Sequence, residues 1–192
     1  MPSPIGHTLA GFCGYVLMHQ PVKRHQRRWL LLSVILTANL ADFDMLPGLM
    51  MGDPGAFHRQ WTHSLTAAIA AGIVFSQLAR YLKLPKGRWG IWAAGLYAGH
   101  VLLDMLVTDV RPPAGVQLLW PFSMAYYISP ITVFASFNYF DPTLGFVKTL
   151  LRAQNLFAIL RESLLIAPLI GVSAYLRGRA RDRVSSKKNH HL

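Results

Sequence analysis

Imidazole and carboxylate side chains recur within, or at the ends of, otherwise apolar stretches of this 192-residue chain. Ionisable groups are costly to place in apolar surroundings, so their presence there indicates a binding or catalytic role. His100 and Asp104 are four residues apart and therefore share one face of a predicted helix. The candidate functional residues are His7, Asp42, Asp44, His58, Arg59, His63, His100 and Asp104.

These residue types indicate a divalent metal site. Mixed histidine and aspartate ligation suits zinc, manganese or iron, whereas calcium and magnesium favour oxygen-only shells. Cys13 is the single cysteine, which excludes a cysteine-rich zinc site. We predict one ion, zinc in the first place, although the set could hold two; bound water would be acidified and could act as a nucleophile. The predicted ligands are His7, Asp42, Asp44, His58, His63, His100 and Asp104.

Arg59 lies between two predicted ligands, His58 and His63. Its planar guanidinium is suited to binding a phosphate or another anion. We assign catalytic roles to Arg59 and to His63. Each ionisable residue taken alone has an ordinary structural explanation, such as helix capping by His58, and only their convergence favours a metal site. His25, in a basic connection, is assigned no role.

Composition and hydropathy predict an integral membrane protein. Only 14% of the residues are charged and 53% are hydrophobic, whereas a soluble domain has about 25% charged residues. Five apolar stretches predict an all-α bundle of about five helices, and the last two are long enough to span a bilayer alone. The stretches are Ile5–Met18, Trp29–Ala41, Leu65–Ala79, Trp89–Val107 and Leu156–Leu176.

The distribution of basic residues predicts a topology. Most of the 19 Lys and Arg residues fall in residues 23–28, residues 80–88 and the tail 177–192. If each apolar stretch crosses or enters the membrane once, these segments share one side, which the positive-inside rule makes the cytoplasm. The basic excess therefore reflects a lipid bilayer as partner, and we expect no nucleic acid.

Residues 109–155 differ in kind from the apolar stretches. They combine five prolines with many aromatic residues; proline opposes a long straight helix, and aromatic side chains favour the membrane interface. We predict an interfacial cap or re-entrant hairpin. The alternative is one kinked membrane helix over 116–137. The chain contains no repeat or linker, so we predict a single domain, 1–192, with a basic cytoplasmic tail.

The candidate ligands are predicted to lie at one depth in the membrane. Measured from the basic end of its own helix, each lies 11 to 17 residues away, or about 17–26 Å at the helical rise. This places the site in the non-cytoplasmic half of the bilayer. The residues measured in this way are His7, Asp42, His63, His100 and Asp104.

Several sequence motifs resemble those of the YdjM-like, LexA-regulated, membrane-bound metal-dependent hydrolases. The resemblance runs from about residue 6 to residue 123, and the histidine-arginine element followed by H-x-x-x-D is its most specific part. The matching strings are Gly6-His7, ADFDMLP (41–47), HRQWTHSL (58–65), GHVLLDML (99–106) and PAGVQLLWPFS (113–123).

The resemblance implies a multi-pass protein of the bacterial inner membrane that acts as a metal-dependent hydrolase. The histidine and aspartate pattern is also similar to that of the zinc-dependent phospholipase C and nuclease group, which implies a phosphoester or lipid-linked substrate. The alternative, from another class, is a non-catalytic membrane protein that holds a metal or carries an ion or a lipid. The sequence leaves the substrate and the oligomeric state open.

The topology can be tested with reporter fusions. A reporter that is active only in the cytoplasm should be active when fused at Lys86 or at Leu192, because both positions follow basic segments. The same reporter fused at Asp53 should be silent. A periplasmic signal at Lys86 or Leu192 would contradict the predicted orientation.

Overall fold

The computed structural model describes residues 1–18, 23–84, 88–108 and 112–189, with side chains as far as Arg179. Lys86, the start of the predicted cap at 109–111 and the end of the basic tail lie outside the described residues. The described chain is all-helical, as predicted. Its α-helices are α1 (Pro4–Leu17), α2 (Arg24–Asn39), α3 (Met45–Met50), α4 (Leu65–Tyr81), α5 (Trp89–Met105), α6 (Gly145–Leu150) and α7 (Ala153–Asn189).

The five long helices correspond to the five predicted apolar stretches. Helix α1 begins at Ser3, whose hydroxyl accepts from the backbone N–H of Gly6, and α4 begins at Ser64, which caps the N–H of Ala67 in the same way. Helix α7 extends well beyond the apolar stretch that ends at Leu176, so the described part of the basic tail continues as helix.

A 3-10 turn, Leu40–Asp44, follows α2 and leads into α3. Asp42 and Asp44 therefore lie on this turn, beyond the end of α2. Side chains two positions apart point in different directions, and these two carboxylates lie against different nitrogens of His63, Nε2 and Nδ1.

The side-chain distribution is that of a protein surrounded by hydrocarbon. Large apolar residues such as Leu36, Ile69 and Leu164 are more than half exposed, while His63, Asp104 and Glu162 are almost fully buried. A soluble monomer rarely exposes so much contiguous apolar surface. Two helical segments, Arg24–Met50 and Ala153–Arg179, are long and apolar enough to cross a membrane.

Small residues allow close approach of α4 and α5. A Cβ atom added at Gly72 would lie 2.7 Å from the carbonyl oxygen of Gly90, and one added at Gly90 would lie 2.8 Å from the carbonyl oxygen of Gly72. Small residues at such contacts are characteristic of helices packed within membranes. This contact fixes α5, which carries His100 and Asp104.

Glu162 on α7 holds the start of α1. Its carboxylate accepts a 2.9 Å hydrogen bond from the backbone N–H of Ser3 and a second, short one from the Ser3 hydroxyl. A Cβ atom at position 6 would lie 2.5 Å from Glu162 Oε2, so Gly6 is required for this approach. The contact places the next residue, His7, in the bundle interior.

Residues 112–144 form an irregular segment without a helix. Isolated bridges join Val107 to Phe134 and Val116 to Tyr127. The backbone N–H of Leu65 donates to the carbonyl of Leu118, which ties the segment to the start of α4. The alternative of a kinked helix over 116–137 is therefore wrong, because the prolines in this segment interrupt helical hydrogen bonding.

The α4–α5 contact predicts opposite effects for two glycine substitutions. Gly72→Ala should destabilise the protein by about 1–3 kcal/mol, because the new methyl group would clash with the backbone carbonyl of Gly90. Gly95→Ala, where an added Cβ meets nothing within 4 Å, should be neutral or stabilising by up to about 1 kcal/mol because alanine favours helix. Thermal unfolding in detergent measures both; equal shifts would contradict the close contact.

Candidate metal centre

Three structural elements deliver four of the predicted ligands to one point in the bundle. Asp42 comes from the 3-10 turn after α2, and His63 from the turn Trp61–His63 that precedes α4. His100 and Asp104 come from adjacent turns on one face of α5. Each of these four residues offers one atom, and the four atoms lie within 4.8 Å of one another.

The donor atoms are separated by the distances expected of ligands around one ion. Nε2 of His63 lies 3.3 Å from Nε2 of His100. It lies 3.5 Å from Oδ1 of Asp42 and 3.1 Å from Oδ2 of Asp104. Nε2 of His100 lies 3.4 Å from Oδ1 of Asp42 and 3.8 Å from Oδ2 of Asp104. Tetrahedral zinc with bonds of 2.0–2.1 Å has ligand atoms about 3.3–3.4 Å apart.

Hydrogen bonds fix which nitrogen of His100 faces the cluster. Nδ1 of His100 lies 2.8 Å from the backbone carbonyl oxygen of Ala38. A carbonyl can only accept, so Nδ1 must carry the proton and donate it. Nε2 can then present a lone pair to the cluster. A backbone carbonyl is a usual outer partner of a metal-bound histidine.

Asp44 holds the other side of the His63 ring. Its Oδ2 atom lies 3.2 Å from Nδ1 of His63 and accepts a 2.5 Å hydrogen bond from the hydroxyl of Thr62. Its Oδ1 atom lies 2.9 Å from Nδ1 of His58. Asp44, His58 and His63 thus form a second group that could hold a metal. The same contacts would orient His63 toward the first group.

The carboxylates of the first group are buried among imidazole nitrogens. Their oxygens accept no hydrogen bond of ordinary geometry within the described ranges, although Nε2 of His63 lies 3.1 Å from Oδ2 of Asp104. The side chain of Asp104 is 0% exposed and that of Asp42 is 10% exposed. Buried carboxylates need a compensating cation. The arrangement as a whole could hold a metal ion.

His7 lies beside the first group. Its Nε2 atom is 3.4 Å from Oδ1 of Asp104 and 4.0 Å from Oδ2 of Asp42. Its ring stacks on that of His100, with the centroids 3.8 Å apart. The structure brings His7 to the cluster as the sequence predicted, at its margin.

His58 and Arg59 border a polar cavity of about 400 Å³ that also contacts Tyr139. Burial lowers the pKa of the His58 imidazole from its usual value, although its contact with Asp44 opposes the shift. Arg59 has a positive φ of 67°, which is rare for a residue with a side chain. Its backbone N–H donates to Oδ2 of Asp44 over 3.3 Å. Such backbone strain is typical of functional positions.

Sequence reasoning missed two contributors to this centre. One is Glu162, which positions α1. The sequence carries a signal for it, because Glu162 is an acidic residue in an apolar stretch. The other is the backbone carbonyl of Ala38, whose contact with His100 cannot be predicted from the pattern of side chains along the sequence. Ser64, the residue after His63, caps α4.

Comparisons with known proteins identify relatives of this chain. The inner membrane protein YdjM of Escherichia coli and that of Shigella flexneri are each 41% identical to it over 105 residues, which cover 46% of this chain and 47% of the relative. The chain thus spans about half the length of the curated relatives it matches. No solved structure matches it. The model of the YdjM inner membrane protein family matches residues 1–180, and the chain therefore belongs to that family.

Proposed function

We propose that this protein is a membrane-bound, metal-dependent hydrolase that acts on a phosphoester or lipid-linked substrate. In this proposal Asp42, His63, His100 and Asp104 hold one divalent ion, with zinc favoured over manganese and iron. The observation that carries it is the set of donor separations between 3.1 and 3.8 Å. These separations match the edges of a tetrahedron around zinc.

Charge balance supports a divalent ion. Asp42 and Asp104 together contribute two negative charges to a buried site, and a divalent cation neutralises them. The cost of burying ionised groups is then offset by direct coordination. His7, at the margin, could complete a five-coordinate shell.

The chemistry follows from the residues around the ion. A bound divalent ion would supply a Lewis acid and an acidified water. Arg59 would bind the anionic phosphoryl group from the adjoining polar cavity, as its planar guanidinium allows. Asp44 would orient His63 through Nδ1. We assign His58 to the same orienting group, with a second ion there as the alternative.

The family name supports a position in the inner membrane. We further propose that the site faces the non-cytoplasmic side and that the C-terminus is cytoplasmic, because the basic segments lie at the opposite ends of the helices from the donor cluster.

Metal content tests the ligand set. His100→Ala and Asp104→Asn should abolish stoichiometric zinc in the purified protein, because each removes a ligand from a buried site. Asp44→Asn should weaken zinc binding by about 10–100-fold, as expected for an outer partner of a ligand. His25→Ala, an exposed histidine outside the site, is the control and should keep full zinc content.

Elemental analysis with zinc titration provides the measurement. Two ions per chain in the wild type, of which Asp44→Asn loses one, would instead assign Asp44, His58 and His63 to a second ion. Full zinc content in His100→Ala would remove the metal site and the hydrolase proposal with it.

Arg59→Lys tests the substrate role. Lysine keeps the positive charge but loses the planar pair of donors, so turnover of a phosphoester should fall by at least about tenfold while zinc content is unchanged. Hydrolysis of a phosphoester panel, alongside elemental analysis, measures both quantities. Unchanged turnover would remove Arg59 from the site, and zinc-loaded wild type without turnover on any phosphoester would favour a metal-binding scaffold.

A further inference from the structure

An apolar groove lies next to the donor cluster. It has a volume of about 530 Å³ and runs between the start of α1, the turn and helix that follow α2, and helices α6 and α7. Its walls are mostly hydrocarbon and include Ile5, Phe43, Leu46, Phe146, Leu150 and Ile159.

The groove reaches the donor cluster at Asp42, which lines its wall. The side chains of His63 and Asp104 are 0% exposed and that of His100 is 1% exposed, whereas that of Asp42 is 10% exposed. Asp42 is thus the least buried side chain of the first group, although its carboxylate oxygens are themselves buried. A molecule in the groove would contact the cluster at Asp42.

A polar cavity adjoins the apolar groove. Phe137 and Tyr139 line both. On the polar side stand His58, which is 93% buried with Nε2 lacking a partner among the described residues, and Arg59. The pair of cavities therefore offers a hydrocarbon compartment and a polar compartment, lined by both Arg59 and Asp53, on either side of one aromatic wall.

From this arrangement we propose that the groove holds the hydrocarbon chain of the substrate, which is a long-chain lipid phosphoester taken directly from the bilayer. The phosphoryl group would lie toward Arg59 and the donor cluster. This inference rests on the proposed hydrolase function and narrows its substrate class from a phosphoester or lipid-linked substrate to long-chain lipid phosphoesters.

The position of the groove favours a lipid chain over other occupants. Its wall includes Phe43 and Leu46, which are 49% and 55% exposed and belong to the candidate membrane span Arg24–Met50. A lipid chain is already dissolved in hydrocarbon at that place. Entering the groove does not require it to cross water, so only the polar headgroup has to change its surroundings.

Chain-length selectivity tests the proposal. The full-length, zinc-loaded protein is assayed with dioleoyl and with dihexanoyl phosphatidic acid. We expect kcat/KM to be about tenfold or more higher for the dioleoyl lipid, because only its chain fills the groove. Leu46→Trp, which narrows the groove, should bring the ratio of the two values close to one.

Ile69→Trp provides the matched control. Ile69 is 60% exposed on α4 and does not line the groove, so this variant should keep the wild-type ratio. Equal kcat/KM values for both lipids in the wild type would overturn the groove proposal while leaving the hydrolase proposal intact.

Lipid retention gives a readout that does not depend on turnover. Native mass spectrometry of detergent-released protein should show one dioleoyl phosphatidic acid retained by the wild type and by Ile69→Trp, and less retained by Leu46→Trp. If neither lipid is hydrolysed, the phosphoester panel decides the hydrolase proposal, and this measurement alone decides the groove. Equal retention by all three proteins would refute the groove as a lipid site.

Discussion

Two buried carboxylates are the constraint on which the rest of this structure depends. Asp42 and Asp104 place their oxygens among imidazole nitrogens inside a bundle whose outer surface is hydrocarbon. Their nearest polar neighbours are imidazole nitrogens of His7, His63 and His100. Buried ionised carboxylates are strongly unfavourable without a compensating positive charge. On the proposed function, the bound divalent ion would supply that charge.

Two contacts between helices hold the donor residues in position. The Gly72–Gly90 contact fixes the helix that carries His100 and Asp104, while the contact between Glu162 and Ser3 fixes the helix that carries His7. Apolar packing between helices gains little in a bilayer, because lipid chains are as apolar as leucine. Close backbone approach and buried hydrogen bonds therefore replace a large apolar core as the means of holding the ligands in register.

Contacts outside the donor cluster determine which atoms His100 and His63 present to it. The carbonyl of Ala38 fixes the tautomer of His100, and Asp44 occupies the far side of His63. On the proposed function, these contacts aim two imidazole lone pairs at a single point before an ion arrives. Such preorganisation lowers the reorganisation needed on binding and during a reaction.

The sequence by itself determined the all-α membrane class, the five long helices and the pairing of His100 with Asp104 on one face, because hydrophobic periodicity and the i, i+4 spacing are local properties of the chain. It also predicted a cap or re-entrant hairpin over 109–155 from the prolines and aromatic residues there, of which residues 112–144 are irregular in the structure. It could not predict which atoms Asp42 and Asp44 contact, because these contacts depend on where α2 ends and on the position of His63 beside the 3-10 turn. The tautomer of His100, the anchoring of α1 by Glu162 and the groove beside Asp42 arise from contacts between segments that are distant in the chain. Only the tertiary structure decided these features, because no local pattern records which atoms meet across the bundle.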